Sequence, residues 1–284
     1  MGWVSRRPAE RENMKIIALG GSGMTGYYLP QEIPNFDLEN GYDITNKSTL
    51  QQIFEREKPD AVLHLAAITD VVGAENDYLH CYSVNTIGSY LIARLCKKYK
   101  AQMCFISSVD VFDGKKSAPY IPDNKPNPIV EYGHSKFAAE TLIKSILPDA
   151  LIIRAGWMFG GVEKDKKFVS YIVNQIRDGK PQIKAVNDVI GSATYGKDLI
   201  QVAIDFLDNA ISGTAHICNS GIATRYEEAK IIAEELGYTG EVIPVSMEEF
   251  PNFRALKNAT MVPSIPMRSW QDALKEYMQE FKNV

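Results

Sequence analysis

The sequence predicts an α/β protein built on a doubly wound parallel sheet, followed by a smaller mixed domain. Short apolar runs of strand length alternate with stretches of helical periodicity across the first half of the chain. This alternation is typical of a parallel sheet with helices on both faces. A glycine-rich loop directly follows the first apolar run, and after Gly156 the alternation becomes irregular. The second half therefore has a different architecture from the first.

The predicted strands are runs of the fully buried type, and the predicted helices carry apolar residues at three- and four-residue spacing. Strands are predicted at 14–19, 61–67, 103–108 and 151–154, and helices at 45–58, at about 77–99 and after the proline-rich loop 118–128. In the second half, helices are predicted near 166–177, 225–236 and 267–281.

Composition and charge exclude several function classes. The 284 residues carry a formal net charge of −4, and the pI is about 5.7, so the chain offers no basic face for nucleic acid. No apolar run approaches the roughly 18 residues that a membrane-spanning helix needs, so we expect no membrane partner. Residues 1–13 are polar and indicate a disordered extension rather than a signal peptide. The four cysteines show no paired spacing, which favours a cytoplasmic protein.

A candidate nucleotide site lies at G-G-S-G-M-T-G, where Gly20, Gly23 and Gly26 follow the first strand. Glycines allow a tight turn and close backbone approach, so that a dinucleotide pyrophosphate can lie on the amides of the following helix. The alternative is a tight turn that only packs a helix on the sheet. Pro30 must shorten this helix, which predicts an abbreviated adenosine side. An acidic residue usually contacts the ribose in such folds, and Asp37 or Glu39 is the candidate.

A candidate catalytic pair lies at E-Y-G-H-S-K, where Tyr132 and Lys136 are four residues apart. On a helix these side chains share one face. A nearby ammonium favours the phenolate and lowers the phenol pKa, which makes the pair a workable general acid. The spacing alone is also a common accident of composition. The pair gains weight from Ser107 and Ser108, whose hydroxyls end the third strand at the sheet edge where ligands bind.

Other residues give weaker signals. Trp157 follows a strand end and either packs in the core or forms a flat wall for a base or sugar. His64 lies within an apolar strand and is interpreted as a core histidine. The remaining histidines show no ligand spacing with each other or with cysteine, so we predict no metal site.

Several motifs together resemble the extended short-chain dehydrogenase/reductases, and within them the dTDP-4-dehydrorhamnose reductase (RmlD-like) branch. The motifs are the glycine loop; Y-D-I-T at 42–45; K-P-D-A-V-L-H-L-A-A-I-T at 58–69; S-S-V-D-V-F-D-G at 107–114; Y-G-H-S-K at 132–136; I-R-A-G-W-M-F-G at 153–160; and V-I-G-S-A-T-Y at 189–195. This resemblance implies a Rossmann-like domain over 14–156, to which segments at about 190–220 return, and a mainly substrate-binding region over 157–284.

The resemblance also implies roles for individual residues. It implies an NADP- or NAD-dependent reduction of the C4 ketone of a 6-deoxy nucleotide sugar, with Ser108, Tyr132 and Lys136 as the catalytic set. Cofactor contacts are implied at Gly20, Gly23, Met24, Thr25, Gly26, Asp43, Ile44, Ala66, Ala67, Ile68, Tyr132 and Lys136, and substrate contacts at Ser108, Val109 and Trp157.

The sequence departs from this family at the substrate loop. Val109 and Asp110 replace an Asp-Tyr pair, and Asp70 stands two residues before the usual acidic position. Tyr28 replaces a glutamate that bridges dimers through a metal in some members, so no metal is carried over. These departures leave an alternative open, a non-catalytic NAD(P)-binding regulatory subunit resembling the methionine adenosyltransferase β subunit. An epimerase, the choice between NADH and NADPH, the exact sugar and a homodimer are also left open.

Overall fold

The computed structural model describes residues 4–5, 14–250 and 256–282. Within this part of the chain the strands are β1 (Val4–Ser5), β2 (Ile16–Leu19), β3 (Asn35–Phe36), β4 (Ala61–His64), β5 (Gln102–Ser108), β6 (Leu151–Ala155), β7 (Met158–Phe159), β8 (Gln182–Val186), β9 (Ile190–Gly191), β10 (Thr194–Tyr195), β11 (Ile211–His216), β12 (Ala223–Thr224), β13 (Glu241–Val245) and β14 (Asn258–Ala259). The α-helices are α1 (Lys47–Glu57), α2 (Val71–Asn76), α3 (Tyr78–Tyr82), α4 (Ser89–Tyr99), α5 (Glu131–Ile146), α6 (Phe168–Arg177), α7 (Gly196–Asp208), α8 (Arg225–Glu235) and α9 (Trp270–Lys282).

The central sheet confirms the predicted fold class. Its strand order is β1-β11-β6-β5-β4-β2-β3, and the six strands from β11 to β3 run parallel. The short strand β1 pairs antiparallel with β11. The rest of the predicted extension, 1–3 and 6–13, lies outside the described residues.

Helices cover both faces of this sheet. On one face, buried residues of α1, α4 and α5, such as Phe54, Ile92 and Ile143, form a single apolar cluster with the strands. On the other face, α7 buries Leu199, Ala203 and neighbouring residues against the sheet. A doubly wound sheet directs the carboxyl ends of its strands to one edge, where ligands bind in such folds.

The second half builds its own apolar core beside that edge. Helices α6, α8 and α9 enclose a cluster rich in aromatic residues, among them Phe159, Tyr195, Trp270 and Tyr277. The parallel pair β8–β13 covers this cluster. Strand β11 belongs to the central sheet and helix α7 packs against that sheet, although both follow β8 in the chain. The domain bounds given above remain a prediction.

The first crossover is the most abbreviated part of the fold. The sequence predicts a short helix after the glycine loop, and the structure has one 3₁₀ turn at Gly26–Tyr28. The chain reaches Pro34 six residues later and then forms β3, which is two residues long. Prolines cannot supply the backbone donors of a continuing helix, which explains why no α-helix forms here.

Candidate active site

The carboxyl end of β5 and the start of α5 bring the predicted catalytic residues together. Ser108 is the last residue of β5 and is 5% exposed. Tyr132 is the second residue of α5 and is buried, and its phenol lies close enough to Ser108 and Asp110 for both to shift its pKa. Lys136 follows one turn later and is 2% exposed. The structure therefore buries all three residues, with Ser108 at the end of β5 and Tyr132 and Lys136 one turn apart on α5.

The two serines at the end of β5 have different surroundings. Successive side chains of a strand point to opposite faces. The Ser108 hydroxyl donates to Asp110 Oδ2 at 2.7 Å, whereas the Ser107 hydroxyl donates to Glu140 Oε1 at 2.6 Å. Ser108 is therefore available to the site, and Ser107 belongs to a buried polar network behind it.

Lys136 is a buried cation without a partner anion among the described residues. Its ammonium lies 4.3 Å from the centroid of the Phe105 ring and forms no ion pair or hydrogen bond with the part of the chain that the structure describes. Burial lowers the pKa of Lys136 to about 7, against a smaller opposing effect of the Glu140 charge. A lysine of this kind changes its charge near neutral pH.

The expected lowering of the Tyr132 pKa is not present in the structure. Burial raises the pKa of this phenol well above its ordinary value, and the negative charge of Asp110 raises it further. The nearby Ser108 hydroxyl opposes this rise only in part. Tyr132 therefore keeps its proton through the neutral range, which corrects the simple expectation from its spacing to Lys136.

A π-helical turn fixes the position of α5. The predicted helix 77–99 is interrupted by a π-turn at Ser83–Gly88, and such turns occur often at functional sites. Here the Asn85 side chain accepts from the Ile68 amide at 2.8 Å and donates to the Ile68 carbonyl at 3.0 Å and to Ser135 Oγ at 3.0 Å. Thr86 donates to the Ser135 carbonyl. The turn thus joins the loop after β4 to the catalytic helix.

The glycine loop has the geometry of a phosphate cradle. Gly20 has φ +89° and an added Cβ would lie 2.3 Å from Ala66 Cα, and a Cβ on Gly26 would lie 2.1 Å from the Gly21 carbonyl oxygen. A Cβ on Gly23 would meet no atom within 4 Å. Among described residues, no hydrogen bond engages the amides of Ser22, Gly23 or Met24. These free donors beside open space fit the pyrophosphate of a dinucleotide.

The adenosine side differs from what the sequence suggests. Asp37 is 3% exposed and accepts from the Asn40 amide and from Asn35, so it is committed to its own turn. Glu39 is exposed and lies 3.4 Å from the Lys164 ammonium. Asp37 therefore has little free surface for a ribose contact, and Glu39 remains the exposed candidate.

The other predicted cofactor residues lie on loops around the glycine turn. Strand β4 ends at His64, three residues earlier than predicted, which leaves Ala66, Ala67 and Ile68 in a partly exposed loop. Asp43 is exposed, and Ile44 is buried against Gly88. Met24 and Thr25 are partly exposed beside Gly23. All of these positions remain predictions.

Trp157 forms one wall of the substrate side. It has φ +39°, a backbone conformation unusual for a bulky residue. The Arg225 guanidinium lies 3.9 Å from the Trp157 ring centroid and 4.7 Å from that of Phe168. An indole held by a stacked guanidinium is a rigid surface for a base or sugar. Val109 as a whole is 2% exposed, so it offers almost no surface to a substrate.

Two cations near this wall were not predicted from the sequence. The Lys167 ammonium donates to the Thr69 carbonyl at 2.7 Å and to Thr69 Oγ1 at 3.1 Å, and Arg225 pairs with Glu228 at 2.7 Å. The charges of both cations act on Asp110. Lys167 and Arg225 lie 57 and 115 residues after Asp110 in the chain, and no local spacing signals them.

Tyr28, which replaces the metal-binding glutamate of some family members, forms hydrogen bonds within the chain. Its hydroxyl donates to Glu280 Oε2 at 2.7 Å and accepts from the Gly161 amide at 2.8 Å. This contact ties the turn after the glycine loop to α9.

No cluster of three His, Cys, Asp or Glu side chains suited to a metal occurs among the described residues. No described helix combines the length and apolarity needed to cross a bilayer.

Known proteins with this architecture include sugar-nucleotide reductases. The spore coat polysaccharide biosynthesis protein SpsK of Bacillus subtilis is 32% identical over 94% of this chain and 97% of its own length. A dTDP-4-dehydrorhamnose reductase of Mycobacterium tuberculosis is 29% identical over 92% of this chain and 91% of its own. The solved structure of a dTDP-4-dehydrorhamnose reductase from Bacillus anthracis in complex with NADP is 29% identical, covers 95% of this chain and all of its own, and superimposes with a TM-score of 0.88.

The family model described as the RmlD substrate binding domain matches residues 14–283. This match spans the glycine loop, the Ser108–Tyr132–Lys136 cluster and the aromatic core of the second half. The chain therefore belongs to the RmlD substrate binding domain family.

Proposed function

We propose that this protein reduces the C4 ketone of a dTDP-linked 4-keto-6-deoxy sugar with NADPH or NADH. The observation that carries the proposal is a buried set of residues, Ser108 at the carboxyl end of β5 with Tyr132 and the unpaired Lys136 one turn apart on α5, together with a glycine loop with free amides after β2. A carbonyl reduction needs a donor to the ketone oxygen, a proton source and a bound hydride donor. The names of the relatives support the sugar class, and the NADP-bound neighbour supports the cofactor.

The loops around the glycine turn would hold the cofactor. The free amides of 22–24 suit the pyrophosphate, and Ala66–Ile68 would line the groove toward Lys136. When bound, a nicotinamide cofactor supplies the hydride. The chain contributes the orientation of the ketone and the proton.

Tyr132 is the proton donor in this proposal. Its raised pKa keeps the phenol protonated at neutral pH, and a secondary alkoxide is a much stronger base than a phenolate, so the transfer is downhill. The phenolate that results lies one helical turn from Lys136, whose ammonium stabilises it. Ser108 donates a hydrogen bond to the ketone oxygen as negative charge develops there.

Trp157, Lys167 and Arg225 would orient the nucleotide. The Trp157 indole offers a flat apolar face, and the two cations offer charge for a diphosphate.

We also propose a cytoplasmic location, because all four cysteines are buried and unpaired, as suits a reducing compartment. The nucleotide-sugar is the proposed small-molecule partner.

The test is consumption of NADPH with dTDP-4-dehydrorhamnose by the wild-type protein and by Tyr132→Phe. We expect turnover by the wild type and a loss of about 1,000-fold in kcat for the variant, since a general acid contributes roughly 100- to 10,000-fold. Tyr120→Phe is the matched control, because Tyr120 is also buried and hydrogen-bonded, to Asp113, but lies outside the cluster. Full activity of Tyr132→Phe would contradict the role given to this residue.

The abbreviated first crossover is the observation that favours the second candidate function, a non-catalytic NAD(P)-binding regulatory subunit. It leaves no α-helix after the glycine loop, and an adenosine side of this form could serve cofactor binding without turnover. Saturable NADPH binding together with no turnover of any 4-keto sugar nucleotide would favour the alternative. Turnover would exclude it.

A further inference from the structure

Ser108 has one hydrogen to donate, and the structure engages it. A serine hydroxyl carries a single donor and two acceptor sites. The Ser108 hydroxyl donates to Asp110 Oδ2 at 2.7 Å, and its oxygen accepts from the Asp110 amide at 3.2 Å. The role proposed above requires Ser108 to donate to the ketone oxygen. While Asp110 is an ionised acceptor, that hydrogen is held by the carboxylate.

An ionised Asp110 also opposes the proton transfer. Its negative charge raises the pKa of Tyr132, which means that it disfavours the phenolate formed when Tyr132 gives up its proton. A carboxylate in this position therefore acts against reduction in two independent ways: it withholds the Ser108 hydrogen and it repels the phenolate.

A protonated Asp110 reverses both effects. A neutral carboxyl group has an O–H that donates, and Ser108 Oγ lies 2.7 Å from Asp110 Oδ2, within reach as an acceptor. With Oγ accepting from the carboxyl group, the serine hydrogen is free to point to the ketone oxygen. The proton on Asp110 is not consumed, because Tyr132 delivers the proton that ends on the product.

The groups around Asp110 determine when it is protonated. Lys167 approaches from the segment before α6, Arg225 from α8 and Tyr132 from α5, and Ser108 lies on its own turn. Burial raises the pKa of Asp110, and the charges of Lys167 and Arg225 lower it in part. A diphosphate bound to these cations would offset their charge, so substrate binding favours the neutral carboxyl group.

We propose that Asp110 is a positioning residue that must be protonated for reduction, and that it turns the Ser108 hydroxyl toward the ketone oxygen. This inference rests on the proposed function.

The test is the pH profile of kcat/KM for ketone reduction, measured between about pH 6 and 9 for the wild type, Asp110→Asn and Asp110→Ala. An asparagine amide donates to Ser108 Oγ at every pH. We expect Asp110→Asn to match the wild type at the acid end and to exceed it by about 10- to 100-fold at the alkaline end, since one preorganised donor to an oxyanion is worth roughly that much or more.

The shape of the profile separates this role from a structural one. Deprotonation of Lys136 lowers kcat/KM at alkaline pH in every variant. In the wild type Asp110 also loses a proton, so its kcat/KM should fall more steeply with pH, by one additional proton, than that of Asp110→Asn. Asp110→Ala should show the shallower decline at about tenfold lower activity, because nothing orients Ser108. Asp208→Asn is the control for charge, since Asp208 is exposed at the end of α7, and should keep the wild-type profile.

Two results would overturn the inference. One is an Asp110→Asn profile with the wild-type decline, and the other is loss of activity in Asp110→Asn at every pH, which would indicate an ionised Asp110 bound to the substrate. If the wild type does not reduce the sugar at all, while NADPH binding shows that it is folded, the proposed function fails and this inference fails with it.

Discussion

Lys136 and Arg154 are two buried cations that the fold treats in opposite ways. Arg154 is 3% exposed and forms two hydrogen bonds with Glu140, at 2.9 and 2.7 Å, while Lys136 is 2% exposed and has no such partner in the described chain. Both side chains lie close to α5, the helix that carries Lys136 and Glu140. The carboxylate of Glu140 is therefore directed to Arg154 and Ser107 and away from Lys136.

The difference separates a structural ion pair from a functional charge. Pairing offsets much of the desolvation cost of a buried charge, whereas an isolated buried charge costs several kcal/mol unless it loses its proton. The lowered pKa of Lys136 shows this penalty. A fold that pairs Arg154 so completely and leaves Lys136 alone keeps that ammonium for a ligand or a developing negative charge.

The largest expected effect comes from breaking the paired cation. Arg154→Met leaves the Glu140 carboxylate buried without its partner, and we expect the free energy of unfolding to fall by about 3–5 kcal/mol. The double variant Arg154→Met/Glu140→Leu should recover most of this loss, because no uncompensated charge remains. Urea unfolding measures both. Equal losses in the single and double variants would show that packing, and not the charge, is responsible.

The unpaired cation predicts a pH dependence of stability. The folded-state pKa of Lys136 is lowered to about 7, while the unfolded-state value is about 10.4. Between these values the unfolded chain binds more protons, so stability rises with pH across this range and the penalty is fully present below about pH 7. We expect a gain on the order of 2 kcal/mol from pH 7 to 10 relative to Lys136→Met. Parallel stability curves for the two proteins would contradict the lowered pKa.

How much of this the sequence predicts depends on how far apart the partners are in the chain. The helix carrying Tyr132 and Lys136, the strand ending at Ser108 and the order of the elements follow from local periodicity. The Glu140–Arg154 pair, the Asn85 contacts with Ile68 and the cations beside Asp110 could not be predicted, because they depend on how separate elements meet. Residue spacing predicts which side chains share a helix face, but it does not predict which of them forms an ion pair with a residue of another element.

The glycine loop offers a matched pair of smaller changes. Gly20→Ala would place a Cβ 2.3 Å from Ala66 at a positive φ, so we expect a loss of about 1–2 kcal/mol in the free energy of unfolding. Gly23→Ala meets no protein atom within 4 Å, so its stability should be unchanged. Its NADPH affinity should fall by about tenfold, since the methyl group would occupy the approach of the pyrophosphate.

The outcomes for the two glycines can be read separately. Thermal or urea unfolding reports the first variant, and a fluorescence titration with NADPH reports the second. Unchanged NADPH affinity in Gly23→Ala would place the pyrophosphate elsewhere and remove the cofactor role from this turn.

The most direct test of the central claim is to measure kcat and the free energy of unfolding on one preparation of Lys136→Met. The account predicts that kcat for ketone reduction falls by about 100-fold or more, while the protein is as stable as the wild type or more stable at neutral pH, because an unpaired buried charge has been removed. A variant that loses stability and keeps its activity would contradict the claim that this ammonium is held for chemistry.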